Sequence, residues 1–245
     1  YAPDIDPALV LSRVLTPALR ARISALIGRE LCLTQVIGFE LRAGDSQGFR
    51  WHVGHGSFAY QRIEDFGATL WIPLVPVETA GQHGGVACVP RSRLSGDFLY
   101  RLHRSAIEYF MTQSMADPEA GQEALMLRYR ELTRLSAFED ILEHYRVELD
   151  YAPGDALLFD KYVIHRSCPL RPGPIPQRRA LVLRFVDTGS RFSQTGAAIH
   201  SLITTAGEAA SASQLPGQVG LRDGELLITS AAFDNVRQRI LQPGG

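Results

Sequence analysis

The sequence predicts a mainly β fold with helices, a jelly-roll-type β-sandwich, on three observations. Short apolar and β-branched runs recur between Gly- and Pro-containing turns. Helical periodicity is confined to one segment near the start and one long stretch in the middle, so helices and strands are segregated rather than alternating, which argues against a parallel α/β sheet. No GxGxxG or Walker-type loop follows any strand, which sets aside the nucleotide-binding folds.

The elements follow in order. TPALRARISALIG predicts a helix, with Thr16 as the cap, Pro17 in the first turn, apolar residues at helical spacing and Gly28 as the stop. LCLTQVIGFELRAG is apolar and β-branched; Gly44-Asp45 turns the chain and FRWHVG resumes an extended pattern, so two adjacent strands are expected. ATLWIPLVPVE reads as a buried strand whose end is marked by Pro73 and Pro76, and GGVACVPRS as a further strand. From Asp97 to Val147 the period becomes helical, broken at Asp117-Pro118, which predicts a helical insertion covering the mouth of the sandwich. Strand character returns in VELDYAPGDALLFDKYVIHRS and, after LRPGPIPQ, in RRALVLRFVD. The tail from Thr188 to Gly220 is rich in Ser, Ala, Thr and Gly and reads as irregular. There is no internal repeat, and residues 1–245 read as one domain.

Composition narrows the function classes. The 245 residues carry 25 Lys+Arg against 26 Asp+Glu, and 45% are hydrophobic, so the chain reads as a globular protein without the basic footprint of nucleic-acid binding. Its apolar runs fall short of the roughly 18 residues a membrane span needs. Cys32, Cys88 and Cys168 lack CxxC spacing, so neither a disulfide framework nor a thiolate metal site is indicated and a reducing cytoplasm is expected. Lys161 is the only lysine, and it has no assigned role.

Two of the seven histidines sit where chemistry is expected. His52 lies in the extended run Phe49 to Gly54, where alternation puts His52 and Gly54 on one face. His165 closes the run that begins at Gly154-Asp155, and Arg178 follows thirteen residues later across a Pro-rich turn. A lone histidine at a strand end is ordinarily a hydrogen-bonded structural residue. A jelly roll, however, brings distant segments together in its mouth.

Five pieces in order carry a resemblance: Trp51-His52; Thr69 to Leu74 around Trp71; Gly84 to Ser92; Gly154-Asp155 through His165-Arg166-Ser167; and Arg178 to Leu181. Together they resemble the phytanoyl-CoA hydroxylase-like branch of the iron(II)/2-oxoglutarate-dependent oxygenases, over Leu31 to Asp187. The resemblance implies a double-stranded β-helix (jelly roll, cupin-like), iron(II) held by His52 and His165, 2-oxoglutarate anchored by the forked guanidinium of Arg178, and dioxygen as co-substrate. Trp71, in the second matching piece, is grouped with Arg178 at the co-substrate. Arg179 should face the other side of its strand.

The chain departs from that pattern at the carboxylate, since the position two after His52 is Gly54. In the wider superfamily His-x-Gly resembles the aliphatic halogenases, where chloride takes the vacated place; losing a carboxylate opens space and removes negative charge. Arg184, six beyond Arg178 and on its face, then supplies positive charge near the halide, and Thr69 a hydroxyl; as bland alternatives, Arg184 ends a surface strand and Thr69 is a strand former. Halogenation of an unactivated aliphatic carbon is the favoured reading, with the target carbon held nearer the halide than the oxygen. The alternatives are hydroxylation with water as third ligand, a carboxylate from Glu64 or Asp65, His55 as a substitute ligand on a bulged strand, a jelly-roll binding protein without catalysis, and a zinc hydrolase using His52, His55 and His165. The substrate is a small molecule or a group tethered to an acyl or aminoacyl carrier protein. Arg91, Arg93, Arg101 and Arg104 either greet an anionic substrate or phosphopantetheine carrier or form a solvated helix face, the simpler reading; Met111, Met115 and Met126 read as packing residues.

Overall fold

The computed structural model describes residues 6–44, 48–54, 56–102, 104, 136–203 and 219–233. Two short helices lead in. Pro7–Arg13 is capped by Asp6, whose carboxylate accepts from the Ala8 N–H, and Pro17–Ile27 is capped by Thr16 and ends at Gly28. Six strands follow: β1 (Leu31–Arg42), β2 (Gly67–Pro73), β3 (Val86–Val89), β4 (Leu157–Asp160), β5 (Ile164–Ser167) and β6 (Gln177–Asp187). They form an antiparallel four-stranded sheet in the order β1-β6-β2-β4 and an antiparallel two-stranded sheet β3-β5.

The register of the large sheet sorts its side chains into two faces. On the outer face Leu33, Leu70, Leu183 and Phe185 pack with Leu11 and Ile23 of the leading helices, with Leu15 between them, and with Phe192, Leu227 and Phe233 of the C-terminal segment. The inner face reads in cross-strand rows. Gln35, Arg184, Thr69 and Phe159 make the first; Ile37, Val182, Trp71 and Leu157 the second; Phe39, Ala180 and Pro73 the third; Leu41 and Arg178 the fourth. The middle rows form an apolar core, so each end of one apolar wall carries a guanidinium. A register shift between Leu33 and Gln35 makes this possible: it turns Gln35 inward although Leu33 faces out, and the extra residue Thr34 donates its hydroxyl to the Arg184 carbonyl.

Two readings of the sequence are corrected here. Residues 49–54 are not a strand beside β1, whose hydrogen-bonded neighbour is β6; they are irregular apart from a bridge at His52, because Gly54 opens a turn whose carbonyl accepts from Ser57 and Phe58. The tail is not wholly irregular, since Gln194–Ile203 is helical. The Ser193 hydroxyl accepts from the Gly196 N–H at its start, a capping signal that the small-residue composition hides.

The described ends of the stretch 97–147 are helical, at 97–102 and Ser136–Tyr145. Leu99, Tyr100 and Leu142 pack with Trp51, Val53, Ala87, Val89 and Ile164 on the outer side of the small sheet. Residues 105–135, with Met111, Met115 and Met126, lie outside the described residues, as does His55. Among the described residues no helix is long and apolar enough to cross a membrane.

Candidate metal and diacid site

His52 and His165 meet through their backbones. Each donates its N–H to the other's carbonyl at 2.9 Å, and an antiparallel pair of this kind puts both side chains on one face. The ring centroids stand 4.2 Å apart. Each imidazole is fixed by its own strand: Nδ1 of His52 lies 2.7 Å from the Arg50 carbonyl and Nδ1 of His165 lies 2.8 Å from the Val163 carbonyl. A carbonyl only accepts, so this geometry assigns the proton to Nδ1 in both rings and leaves the Nε2 lone pair as the free ligand atom. Both rings are held below the ordinary histidine range, His52 by desolvation and then by the Arg184 charge, His165 further by desolvation, by His52 and by Arg184. Two neutral imidazoles on one face, each with an unprotonated Nε2, suit a divalent transition metal.

The back of the pair is clamped by residues that sequence reasoning missed as a unit. Trp51 Nε1 donates to Glu143 at 2.8 Å, Arg166 Nε donates to the same carboxylate at 2.8 Å, and the Arg166 guanidinium lies 5.1 Å over the Trp51 ring. Trp51 and Arg166 are the sequence neighbours of the two histidines, so one carboxylate on Ser136–Tyr145 fixes both backbones. On the open side Phe159 lies 4.6 Å from the His165 ring, and Phe49, 48% exposed, lies 5.7 Å from His52 and 5.7 Å from Phe39. The half-exposed Phe49 carries this row of aromatic rings to the surface.

The other end of the wall is built differently. Arg178 is only 3% exposed. Its Nε donates to the Gly84 carbonyl at 2.6 Å, its guanidinium lies 5.4 Å over the Trp71 ring, and its Nη1 is buried without a hydrogen-bond partner. Gly84 adopts φ 82°, a left-handed conformation that a side chain resists, and so aims its carbonyl at Arg178. Burial draws the guanidinium down to about 10. A desolvated cation with an unmet donor is a site for an anion. Because His165 pairs with Cys88, four residues along the chain from Gly84, the histidines and the Arg178 contact are separated by at most about 13 Å of apolar wall.

No protein-family model matches the chain, and no curated protein matches it. Solved structures do. The non-heme alpha ketoglutarate dependent carbocyclase SnoK from nogalamycin biosynthesis is similar at a TM-score of 0.54 and 15% identity, over 90% of this chain and 68% of that one. The non-heme alpha ketoglutarate dependent epimerase SnoN from the same biosynthesis is similar at 0.52 and 16%, over 89% and 68%. The chain shares the fold of non-heme alpha-ketoglutarate-dependent enzymes.

Within that fold the remaining predicted residues fall as follows. Gly54 donates its N–H to the Lys161 carbonyl at 2.8 Å, and a Cβ at position 54 would stand 3.0–3.1 Å from the Lys161 backbone and Cβ. Close packing alone therefore disfavours a side chain here, because the Lys161 backbone would have to give by a few tenths of an ångström. Arg184 and Thr69 are register neighbours in the row nearest the histidines; Arg184 Nη1 donates to Gln35 at 2.6 Å, and its charge reaches both imidazoles. Asp65 accepts from the Arg191 N–H and Glu64 is exposed. Among the described residues no third carboxylate, thiol or imidazole joins the pair. Arg179 is exposed and pairs with Glu40. The arginine cluster is dispersed: Arg91 pairs with Asp160 and Arg101 with Asp97, Arg93 is exposed, and Arg104 is buried with Nη2 donating to Ser193.

Lys161 has a fate the sequence did not signal. It is 1% exposed, donates Nζ to the Arg62 carbonyl at 3.0 Å and lies over the rings of Tyr100 and Tyr162 at 4.9 and 5.2 Å. Burial lowers its ammonium from 10.5 to about 7, against the opposing charges of Asp65 and Glu64. The folded value lies below the unfolded one, so between these limits the unfolded chain binds the extra proton and stability rises with pH, by at most about 1.4 kcal/mol per pH unit. Cys88 and Cys168, raised by burial from 9.0 to about 12, act in the opposite sense above about pH 9. Chemical denaturation at pH 7, 8 and 9 is expected to show a rise that Lys161→Met flattens; parallel curves for the two proteins would contradict the burial argument.

Proposed function

We propose that this chain is an iron(II)- and 2-oxoglutarate-dependent oxygenase of double-stranded β-helix architecture, acting on an unactivated aliphatic C–H bond of a small molecule or a carrier-tethered substrate. The observation that carries the reading is the His52–His165 bridge, with both Nδ1 atoms bound to backbone carbonyls and both Nε2 lone pairs free. The orphaned Arg178 Nη1 fits the second carboxylate of the diacid. The likeness of fold to alpha-ketoglutarate-dependent enzymes supports both assignments.

Iron(II), 2-oxoglutarate and dioxygen supply hydrogen-atom abstraction from carbon, the diacid leaving as succinate and carbon dioxide. The chain's own part is to bind and to orient. His52 and His165 hold the metal, and Glu143 stiffens both through Trp51 and Arg166. Arg178 holds the far end of the diacid over Trp71, while Ile37, Phe39, Val182 and Val86 keep water from the space between. Phe49, half-exposed, offers an apolar face to the substrate.

Two outcomes share this site. Arg184 favours halogenation, because its charge beside two neutral histidines, with no carboxylate joining the pair among the described residues, supports chloride as an added ligand. The packing of Gly54 on Lys161 favours hydroxylation, because it explains the glycine without a halide. Turnover with iron(II), 2-oxoglutarate, dioxygen and chloride over a panel of aliphatic amino-acid-like substrates, free and carrier-bound, tests the reading. Iron-dependent succinate is expected, with the product mass reporting chlorine or oxygen; no succinate with any substrate would contradict it.

A further inference from the structure

A backbone outlier stands next to the Arg178 contact. His83 adopts φ 60°, the one left-handed residue other than glycine among the described residues, and Gly84 follows at φ 82°. Neighbours on three sides hold His83 there. Its Nδ1 donates to the Glu148 carboxylate at 3.2 Å, its backbone bridges to Leu170, and its N–H donates to the Glu78 carbonyl at 3.1 Å. Glu148 also lies 3.5 Å from Arg166, which Glu143 grips behind the histidines. The preceding residue serves the strand of Arg178 itself. The Gln82 amide donates to the Arg171 and Ile175 carbonyls at 2.9 Å and accepts from the Ile175 N–H at 2.8 Å, which fixes the loop entering β6.

A left-handed residue with a side chain costs energy and persists only where its surroundings over-determine it. The product of this conformation is one aimed carbonyl. Gly84 is the sole hydrogen-bond acceptor of Arg178 among the described residues, at 2.6 Å from Nε. Nε belongs to a rigid planar fork, so the carbonyl that takes it sets the direction of both Nη atoms.

We propose that Glu148 and His83 are positioning residues for Arg178: the Glu148 carboxylate holds the His83 imidazole, the held backbone presents the Gly84 carbonyl, and that carbonyl aims the guanidinium at the diacid. The inference rests on the oxygenase reading and adds to it two residues outside the matching sequence pieces, neither of which touches a ligand. Because Glu148 also braces Arg166, one link joins the guanidinium to the clamp behind the histidines.

The test is anaerobic calorimetry of the iron(II)-loaded protein with 2-oxoglutarate and with 2-oxopentanoate, which lacks the distal carboxylate and so makes no use of Arg178. Glu148→Met and His83→Gly each cut the link, the second without strain because glycine takes a left-handed conformation freely. Each is expected to weaken 2-oxoglutarate by roughly 3- to 30-fold, the range for residues acting through a contiguous network, and to leave 2-oxopentanoate within about twofold. The two together should cost no more than either alone, and neither should weaken binding further once Arg178→Met is in place, because all act through one guanidinium. His83→Asn should bind like the parent, since asparagine accepts the left-handed region and carries Nδ2 on Cγ where the imidazole carries Nδ1. Unchanged 2-oxoglutarate affinity in Glu148→Met and His83→Gly, an equal loss for 2-oxopentanoate, a further loss in the Arg178→Met background, or His83→Asn as weak as His83→Gly would overturn the inference alone. No 2-oxoglutarate binding by the parent would overturn the oxygenase reading with it.

Discussion

His165→Ala is expected to abolish iron(II) binding while leaving the fold in place. The ring is held by one hydrogen bond from Nδ1 to the Val163 carbonyl, and the strand is held by backbone pairing with Cys88 and His52 and by the Arg166–Glu143 ion pair, none of which needs the imidazole. The loss in metal affinity should exceed the roughly 10- to 100-fold typical when a residue that only orients a ligand is changed, since half of the protein donors would be gone. His52→Ala should behave alike, and the double variant should be no worse than either. Equilibrium dialysis against iron(II) without oxygen, with far-ultraviolet circular dichroism as the fold control, reads this directly. Iron affinity within tenfold of the parent in both single variants would remove the metal assignment.

Arg178→Met separates stability from binding. In the free protein the guanidinium is a buried cation with an orphaned Nη1, held by the Gly84 carbonyl and the Trp71 face. Replacing buried charge with apolar volume is commonly neutral or stabilising by about 1–4 kcal/mol, so the variant should melt at or above the parent. Its affinity for 2-oxoglutarate should fall by about 2–5 kcal/mol, the cost of removing one partner of a buried charge pair. Arg178→Lys should rescue little, because an ammonium lacks the planar fork. Thermal melts and calorimetry on the same samples check both halves; a variant that loses several kcal/mol of stability yet binds the diacid normally would make Arg178 a structural residue.

Local signals carried much of the fold. Thr16, Pro17 and Gly28 bound a helix because capping chemistry acts within a turn, and Pro73 ends β2 because proline cannot donate to a ladder. Period-2 alternation was enough to place Arg178 and Arg184 on one face and Arg179 on the other. What escaped was non-local. The carboxylate behind the histidines arrives from Glu143, 92 residues from Trp51 and 23 from Arg166. The bulge that turns Gln35 inward is visible only against β6, and the pairing of His52 with His165 only after two loops close. Gly54 shows the limit from the other side: the motif suggests a vacated ligand position, and the structure adds a packing reason for the same glycine.

The most direct measurement is an anaerobic crystal soaked with iron(II), 2-oxoglutarate and bromide, with anomalous data collected at the iron and bromine edges. The expected result is iron on Nε2 of both His52 and His165 with 2-oxoglutarate reaching from the metal to Arg178, and bromide on the metal if the enzyme halogenates. Iron absent from the pair, or bound there with the diacid elsewhere, would contradict the account.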